Sequence, residues 1–461
     1  MTDNLTNKWA VLLVAGLAAF LTPFMGSATN IALPTIGQEF ALDAVALGWV
    51  STAYLLAAAM FLVPVGRLAD IHGRKRFFLY GIALFTAASL FTALAPSAAA
   101  LLAGRVLQGV GSAMIFGTGV AILTSAFPPG ERGRVLGLNV AMTYLGLSVG
   151  PFLGGLLTHQ WGWRSIFWVI APLGVIIVTL VLWKIKGEWA EAQGETLDWI
   201  GSVTYSLALA ALMYGFSALP AWWAAGLTVV GVAGLVIFGF GETKARHPVL
   251  DVHLFRVNRV FAFSNLAALI NYCATAAVGF LLSLYLQYIK GLDPEQAGLV
   301  LIAQPVLQAV FSPLAGRLSD RVEPRLVASA GMAITASGLF LLTFLHGGTP
   351  LEFIVFSQMF LGFGFALFSS PNTNAVMSAV EKRLYGVASA TLGTMRLTGQ
   401  TLSMGIAMLT FAVVIGSARI TPLNYPAFLR SATIIFIILT ILCGIGVLAS
   451  LVRGNVHGNQ E

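Results

Sequence analysis

The 461-residue chain is 58% hydrophobic and only 9% charged, whereas about a quarter of the residues in a soluble domain are charged, so lipid is its main solvent. The net charge of +7 does not point to nucleic acid, because no soluble domain separates the apolar runs and the charge follows membrane topology instead. Cys273 and Cys443 both fall inside apolar runs, which suggests neither a disulfide framework nor a zinc site.

A bilayer core about 30 Å thick needs roughly 20 apolar residues per helical crossing. Runs of that kind predict an all-α integral membrane protein with fourteen spans, near residues 9–33, 46–66, 76–95, 98–126, 134–158, 163–184, 198–218, 221–240, 260–288, 294–316, 325–346, 350–371, 386–416 and 428–452. The first follows a single basic residue, Lys8, and outruns a signal-peptide core of about 7–15 residues, so it reads as a retained span. Short cytoplasmic loops hold the excess of Lys and Arg. With the N-terminus inside, 19 of the 25 Lys and Arg residues fall on the cytoplasmic side, Arg164, Lys290, Arg419 and Arg430 fall outside, and Arg105 and Arg396 fall within spans. Both termini are expected in the cytoplasm.

The second span ends in Gly66-Arg67-Leu68-Ala69-Asp70, and Gly316-Arg317-Leu318-Ser319-Asp320 ends the tenth. Repeated halves are expected of secondary transporters. Aligning the two copies divides the chain into a six-helix bundle (1–187), an inserted helix pair with its polar connectors (188–258) and a second six-helix bundle (259–461).

The first copy continues as Ile71-His72-Gly73-Arg74-Lys75-Arg76. Its glycines permit close packing and a tight reversal, and Asp70 has a choice of helix ends or cations to pair with. Arg105-Val106-Leu107-Gln108-Gly109 places a guanidinium and an amide on one helix face in span four, and Gly146-Leu147-Ser148-Val149-Gly150-Pro151-Phe152-Leu153-Gly154-Gly155 gives span five a side-chain-poor stripe and a bend. Such a stripe suits either a static helix contact or a moving one. Trp161-Gly162-Trp163-Arg164-Ser165-Ile166-Phe167, Asp198-Trp199-Ile200-Gly201 and Asn30-Ile31-Ala32-Leu33-Pro34 complete the set. Together these motifs resemble the major facilitator superfamily, in its fourteen-span drug–proton antiporter branch.

That resemblance implies a monomeric carrier in a prokaryotic cytoplasmic membrane, with two bundles that rock about a central site. It assigns Asp70 to a latch between bundles and makes Gly66, Asp70, Arg74, Gly146, Gly150, Pro151, Gly154, Gly316 and Asp320 the candidate switch residues. The polar and aromatic groups in spans that line the family's central path are Asn30, Tyr54, Arg105, Gln108, Tyr144, Asn265, Asn271, Gln304, Gln308, Asn372, Arg396 and Gln400. They are the candidate substrate-binding residues. One position departs from the branch: five residues before Asn30, where an Asp is usual, stands Met25. All 18 acidic residues lie in loops, tails or span ends, so the expected cavity is net positive and favours neutral, amphipathic or anionic solutes over cations.

The chain has neither a Gly-x-x-x-x-Gly-Lys-Ser/Thr loop nor a helix-borne His-Glu-x-x-His, so neither a primary pump nor a zinc enzyme is expected, and no cofactor or metal. The expected activity is secondary export of amphipathic small molecules or drugs, with protons as the coupling ion. Transport of anionic or neutral metabolites or lipids without proton antiport, and a non-transporting receptor, are the alternatives the residues leave open.

Overall fold

The computed structural model describes residues 7–128, 131–244, 253–319, 321–381 and 384–454. Asp320, with Arg246, Lys382 and Arg383 of the basic set, lies outside the described residues. The helices are α1 (Lys8–Glu39), α2 (Ala44–His72), α3 (Arg74–Ala93), α4 (Ala98–Ala126), α5 (Arg132–Trp161), α6 (Arg164–Lys184), α7 (Trp199–Ala218), α8 (Trp222–Glu242), the short α9 (His253–Val257), α10 (Arg259–Leu284), α11 (Pro294–Leu301), α12 (Ala303–Ser319), α13 (Pro324–Leu342), α14 (Leu351–Ser378), α15 (Tyr385–Val414) and α16 (Tyr425–Val452). Among the described residues, 14 spans are long and apolar enough to cross a membrane; α10 with its terminal π turn (Tyr285–Ile289) makes one, and α11 with α12 another.

Helix starts follow side-chain acceptors that satisfy first-turn amides. Asn7, Asp43, Ser97, Asp198, Asn258 and Asp293 cap α1, α2, α4, α7, α10 and α11 in this way. Pro305 offers no N–H to the Leu301 carbonyl and its ring crowds that group, and the helix breaks at Ile302 between α11 and α12.

The helices run past several expected ends. α2 continues to His72, so Gly66 to Ile71 are helix and not loop, with Ala69 and Ile71 buried. The reversal falls on Gly73 alone, whose φ of +121° suits glycine, and a Cβ there would strike the Glu188 carboxyl.

Packing sorts the helices into two groups. α1 lies on α5, α2 on α4, and α3 on α4 and α6; in the other group α10 lies on α15 and α16, α13 on α14 and α16, and α12 on α14. α7 and α8 form a hairpin. α7 leans on α2 and α15, and Tyr205 and Ser206 donate to the Ala59 and Met60 carbonyls at 3.0 and 2.9 Å. In α10, 72% of the most apolar stretch is buried against protein, but only 17% in α8, which places α10 at the centre and leaves α8 to lipid.

The groups close on each other at the end opposite the termini. A Cβ on Gly155 would overlap the Pro294 carbonyl, and one on Gly298 the Pro151 carbonyl, so α5 and α11 touch backbone to backbone. Nearby, Ser283 Oγ donates to the Asn30 carbonyl at 2.6 Å, Gln287 Nε2 to the Ile31 carbonyl at 2.9 Å and the Ala44 amide to the Ala418 carbonyl at 3.3 Å. His159 Nδ1 lies 3.5 Å from both Asp293 Oδ1 and Glu295 Oε2 across the same seam.

Candidate functional site

The two intramembrane arginines differ. Arg105 is 1% exposed. Its Nε donates to the Val50 carbonyl at 3.0 Å, one terminal nitrogen donates to Gln108 Oε1 at 2.8 Å, and its Cζ stands 4.6 Å from the centre of the Tyr54 ring. Gln108 in turn donates to Ser89 Oγ at 2.8 Å. This network ties α2, α3 and α4 together inside the first group. Both polar side chains of the pair expected at the substrate site are thus already met by protein groups.

Arg396 is half-buried and lies between the groups. Its Cζ is 5.3 Å from the Tyr272 ring, and its charge is felt at both Tyr54 of α2 and Tyr144 of α5. Tyr144 shares a 2.5 Å hydrogen bond with Ser369 of α14 and is within hydrogen-bonding reach of the Gln308 side chain. Tyr54 shares one of 2.8 Å with Ser112. The structure thus brings Tyr54, Tyr144, Gln308 and Arg396 together and adds Tyr272. Gln304 and Gln400 are half-buried and make no side-chain hydrogen bond among the described residues.

Four other expected site residues sit elsewhere. Asn30 accepts from Ser51 Oγ at 2.8 Å, and its carbonyl belongs to the closed seam. Asn265 and Asn271 are fully buried within the second group; Asn265 donates to its own helix at the Phe261 carbonyl. Asn372 donates to the Ser264 carbonyl at 3.1 Å and accepts from Arg453 at 3.0 Å. Arg453, one of the 19 Lys and Arg residues expected on the cytoplasmic side, is 0% exposed. Asn372 of α14 and Ser264 of α10 draw it into the bundle, which puts this cluster at the end near the termini rather than in the centre.

The switch residues are also redistributed. Gly146, Gly150 and Gly154 face Phe20, Ser27 and Ala28 of α1, a contact within one group. The contact between groups is made by the next glycine, Gly155, and by the Pro151 carbonyl. Gly66 lies beside Gly117, and Gly316 against Ser370. Asp70 accepts from Arg74 Nε at 2.6 Å, and its carbonyl accepts from the Ala192 amide. Its bonds thus join Arg74 and the α6–α7 connector, and among the described residues none reaches the second helix group.

That connector was legible only as a polar stretch, yet it is bolted down by three glutamates. Glu188 accepts from the Lys75 amide at 2.7 Å, Glu191 takes two hydrogen bonds from the Arg74 guanidinium at 2.7 and 3.0 Å and one from Ser125 Oγ, and Glu195 pairs with Arg67. Their spacing, at 188, 191 and 195, was the available signal. Burial pushes the Glu191 carboxyl up, but the bonds from Arg74 and Ser125 and the charges of Arg74 and Arg132 outweigh it and hold it below its ordinary 4.5. A depressed acid contributes anchorage that is complete above its ordinary value and lost as pH falls through the lowered one. Limited proteolysis at the connector is expected to speed up below that ordinary value, and Glu191→Gln to show the faster cleavage already at neutral pH. Equal cleavage of both proteins at pH 7 would remove Glu191 from the anchor.

Comparison with known proteins was made against this geometry. The family model described as Major Facilitator Superfamily matches residues 15–196 and 265–460, two segments that flank the α7–α8 hairpin. The riboflavin transporter RibZ of Clostridioides difficile is 30% identical over 398 residues, covering 85% of each chain. The multidrug resistance protein Stp of Mycobacterium tuberculosis is 32% identical, covering 86% of this chain and 74% of that one, and the cephamycin export protein CmcT of Amycolatopsis lactamdurans is 31% identical, covering 88% and 85%. A bacterial homologue of the human lysosomal transporter Spinster shares the fold, with a TM-score of 0.71 at 14% identity over 97% of this chain and 96% of that one. With fourteen spans, two packed helix groups and this match over most of its length, the chain belongs to the major facilitator superfamily and is a multi-pass membrane transporter, not an enzyme.

Proposed function

We propose that the protein is a secondary exporter of amphipathic small molecules, in which residues 1–187 and 259–461 rock as two bodies about the tyrosine–Arg396 centre while 188–258 ride between them, with both termini in the cytoplasm. The observation that carries this reading is the backbone-close seam of α5 on α11 at the end opposite the termini. A small-residue contact of this kind can part and reform without unpacking a core. Export by CmcT, as its name states, supports the direction. Purified protein in liposomes is expected to show saturable counterflow of its solute. Flux that rises linearly with concentration would mark a channel, and binding without flux a receptor.

Proton coupling on this reading uses groups at span ends. Met25 is fully buried, and Thr29 Oγ1 donates to its carbonyl at 2.7 Å, so that position offers the cavity no carboxylate. The titratable cluster across the seam is His159 with Asp293 and Glu295. At the same end Arg164 pairs with Glu39 and Lys290 donates to the Gly347 carbonyl. His159→Gln removes these contacts and is expected to shift the seam toward its open form, followed by energy transfer between dyes across it. An unchanged distance distribution would take His159 out of the seam and place coupling elsewhere.

A further inference from the structure

Within the spans, Arg396 is the guanidinium that the fold leaves without a counterpart. Among the described residues it makes no hydrogen bond and no ion pair, only the ring contact with Tyr272 at 5.3 Å. Arg105, by contrast, is enclosed and bonded. An ionised group at membrane depth is tolerated when it faces a wet cavity or a partner, and Arg396 is half-buried between the two helix groups, within range of tyrosines from α2, α5 and α10. One turn along α15, on the same face, stands Gln400, likewise half-buried and without a side-chain hydrogen bond. Two donor-bearing side chains thus share one face of α15, with the Tyr272 ring beside the first, and no Asp or Glu lies in the middle of a span to neutralise them.

We propose that Arg396 binds the anionic group of the transported solute, and that the substrates are organic anions carrying a carboxylate, sulfonate or phosphate on a flat aromatic body. The proposal rests on the exporter reading and deepens it. A guanidinium presents a planar fork that matches two oxygens of such a group, Gln400 supplies a further amide donor, and Tyr54, Tyr144 and Tyr272 give the apolar body ring faces and edges to pack on. The same charge repels organic cations of equal shape.

The test uses two xanthene dyes of like shape and opposite charge, anionic fluorescein and cationic rhodamine 123, bound to the purified full chain and followed by fluorescence polarisation. Wild type is expected to bind fluorescein at least about 10-fold more tightly than rhodamine 123. Arg396→Gln should weaken fluorescein by about 10- to 100-fold, the loss expected when a charge-assisted bond is removed, without weakening rhodamine 123. Arg396→Lys, which keeps the charge and loses the fork, should fall between. The wild-type ranking stands whether or not a variant folds. Wild type that binds neither dye, prefers rhodamine 123 or binds both alike overturns the proposal, as does a folded Arg396→Gln protein with wild-type fluorescein affinity. Saturable counterflow of rhodamine 123 with no anion preference would sink the anion assignment and keep the exporter; tight fluorescein binding with no flux of either dye would do the reverse.

Discussion

A leucine in place of Gly298 is expected to open the end of the protein opposite the termini. A Cβ at this position already overlaps the Pro151 carbonyl, and backbone has no rotamer with which to yield. Overpacking a close contact costs about 1–3 kcal/mol, and because the strain exists only while the seam is shut, it moves the equilibrium between closed and open by about 5- to 150-fold. Cysteines placed at Ala44 and Ala418, whose backbones meet at 3.3 Å, report the change: their crosslinking rate follows the closed fraction and should fall in Gly298→Leu, by at most that factor. Gly154→Leu is the contrasting variant, since Gly154 faces Ala28 of its own helix group. It should lower the thermal midpoint without slowing the crosslink. Equal crosslinking in Gly298→Leu and wild type would show that this seam is not the one that moves.

Replacing Arg105 with alanine is expected to cost stability while leaving ligand preference intact. The substitution strands the Gln108 amide oxygen and removes a donor from the Val50 carbonyl in a site that is 1% exposed, at about 1–3 kcal/mol for each buried group left unmet. It also removes a cation–ring contact worth about 0.5–2 kcal/mol. Thermal unfolding in detergent should show a clear loss, which Lys repairs only in part, because an ammonium lacks the spread of donors needed for both acceptors. A folded Arg105→Ala protein of wild-type stability whose ranking of fluorescein over rhodamine 123 had changed would return Arg105 to the substrate site.

These two experiments fall where reading along the chain and reading the fold diverge. In the sequence Arg105 and Arg396 look equivalent, each a lone cation in an apolar run, and Gln108 on the same face as Arg105 invites a binding role. The fold separates them: the Val50 carbonyl and Ser89 consume the first pair, and Arg396 meets only the Tyr272 ring among the described residues. The glycine stripe shows the same effect at finer scale. Gly154 and Gly155 are neighbours in the chain, yet about 100° of helix rotation turns one to α1 and the other to α11. The Asp70 motif was recognisable, and Arg74, which pairs with Asp70, stands four residues on, but the connector's Ala192 amide and Glu191, which meet this pair, lie more than a hundred residues away.

By itself the amino-acid sequence determined that this protein lives in a membrane, its fourteen candidate spans and where most helices begin. Those properties depend on local quantities: the length of an apolar run, a capping side chain, and a proline or glycine. Which arginine stays open to a ligand, which glycine meets the other half, and which end is shut were decided only by the tertiary structure. The physical reason is that a helix surrounded by lipid and other apolar helices is hydrophobic nearly all round, so its sequence carries little record of which way it is turned, and the partners that use up or spare a buried polar group come from elements distant in the chain.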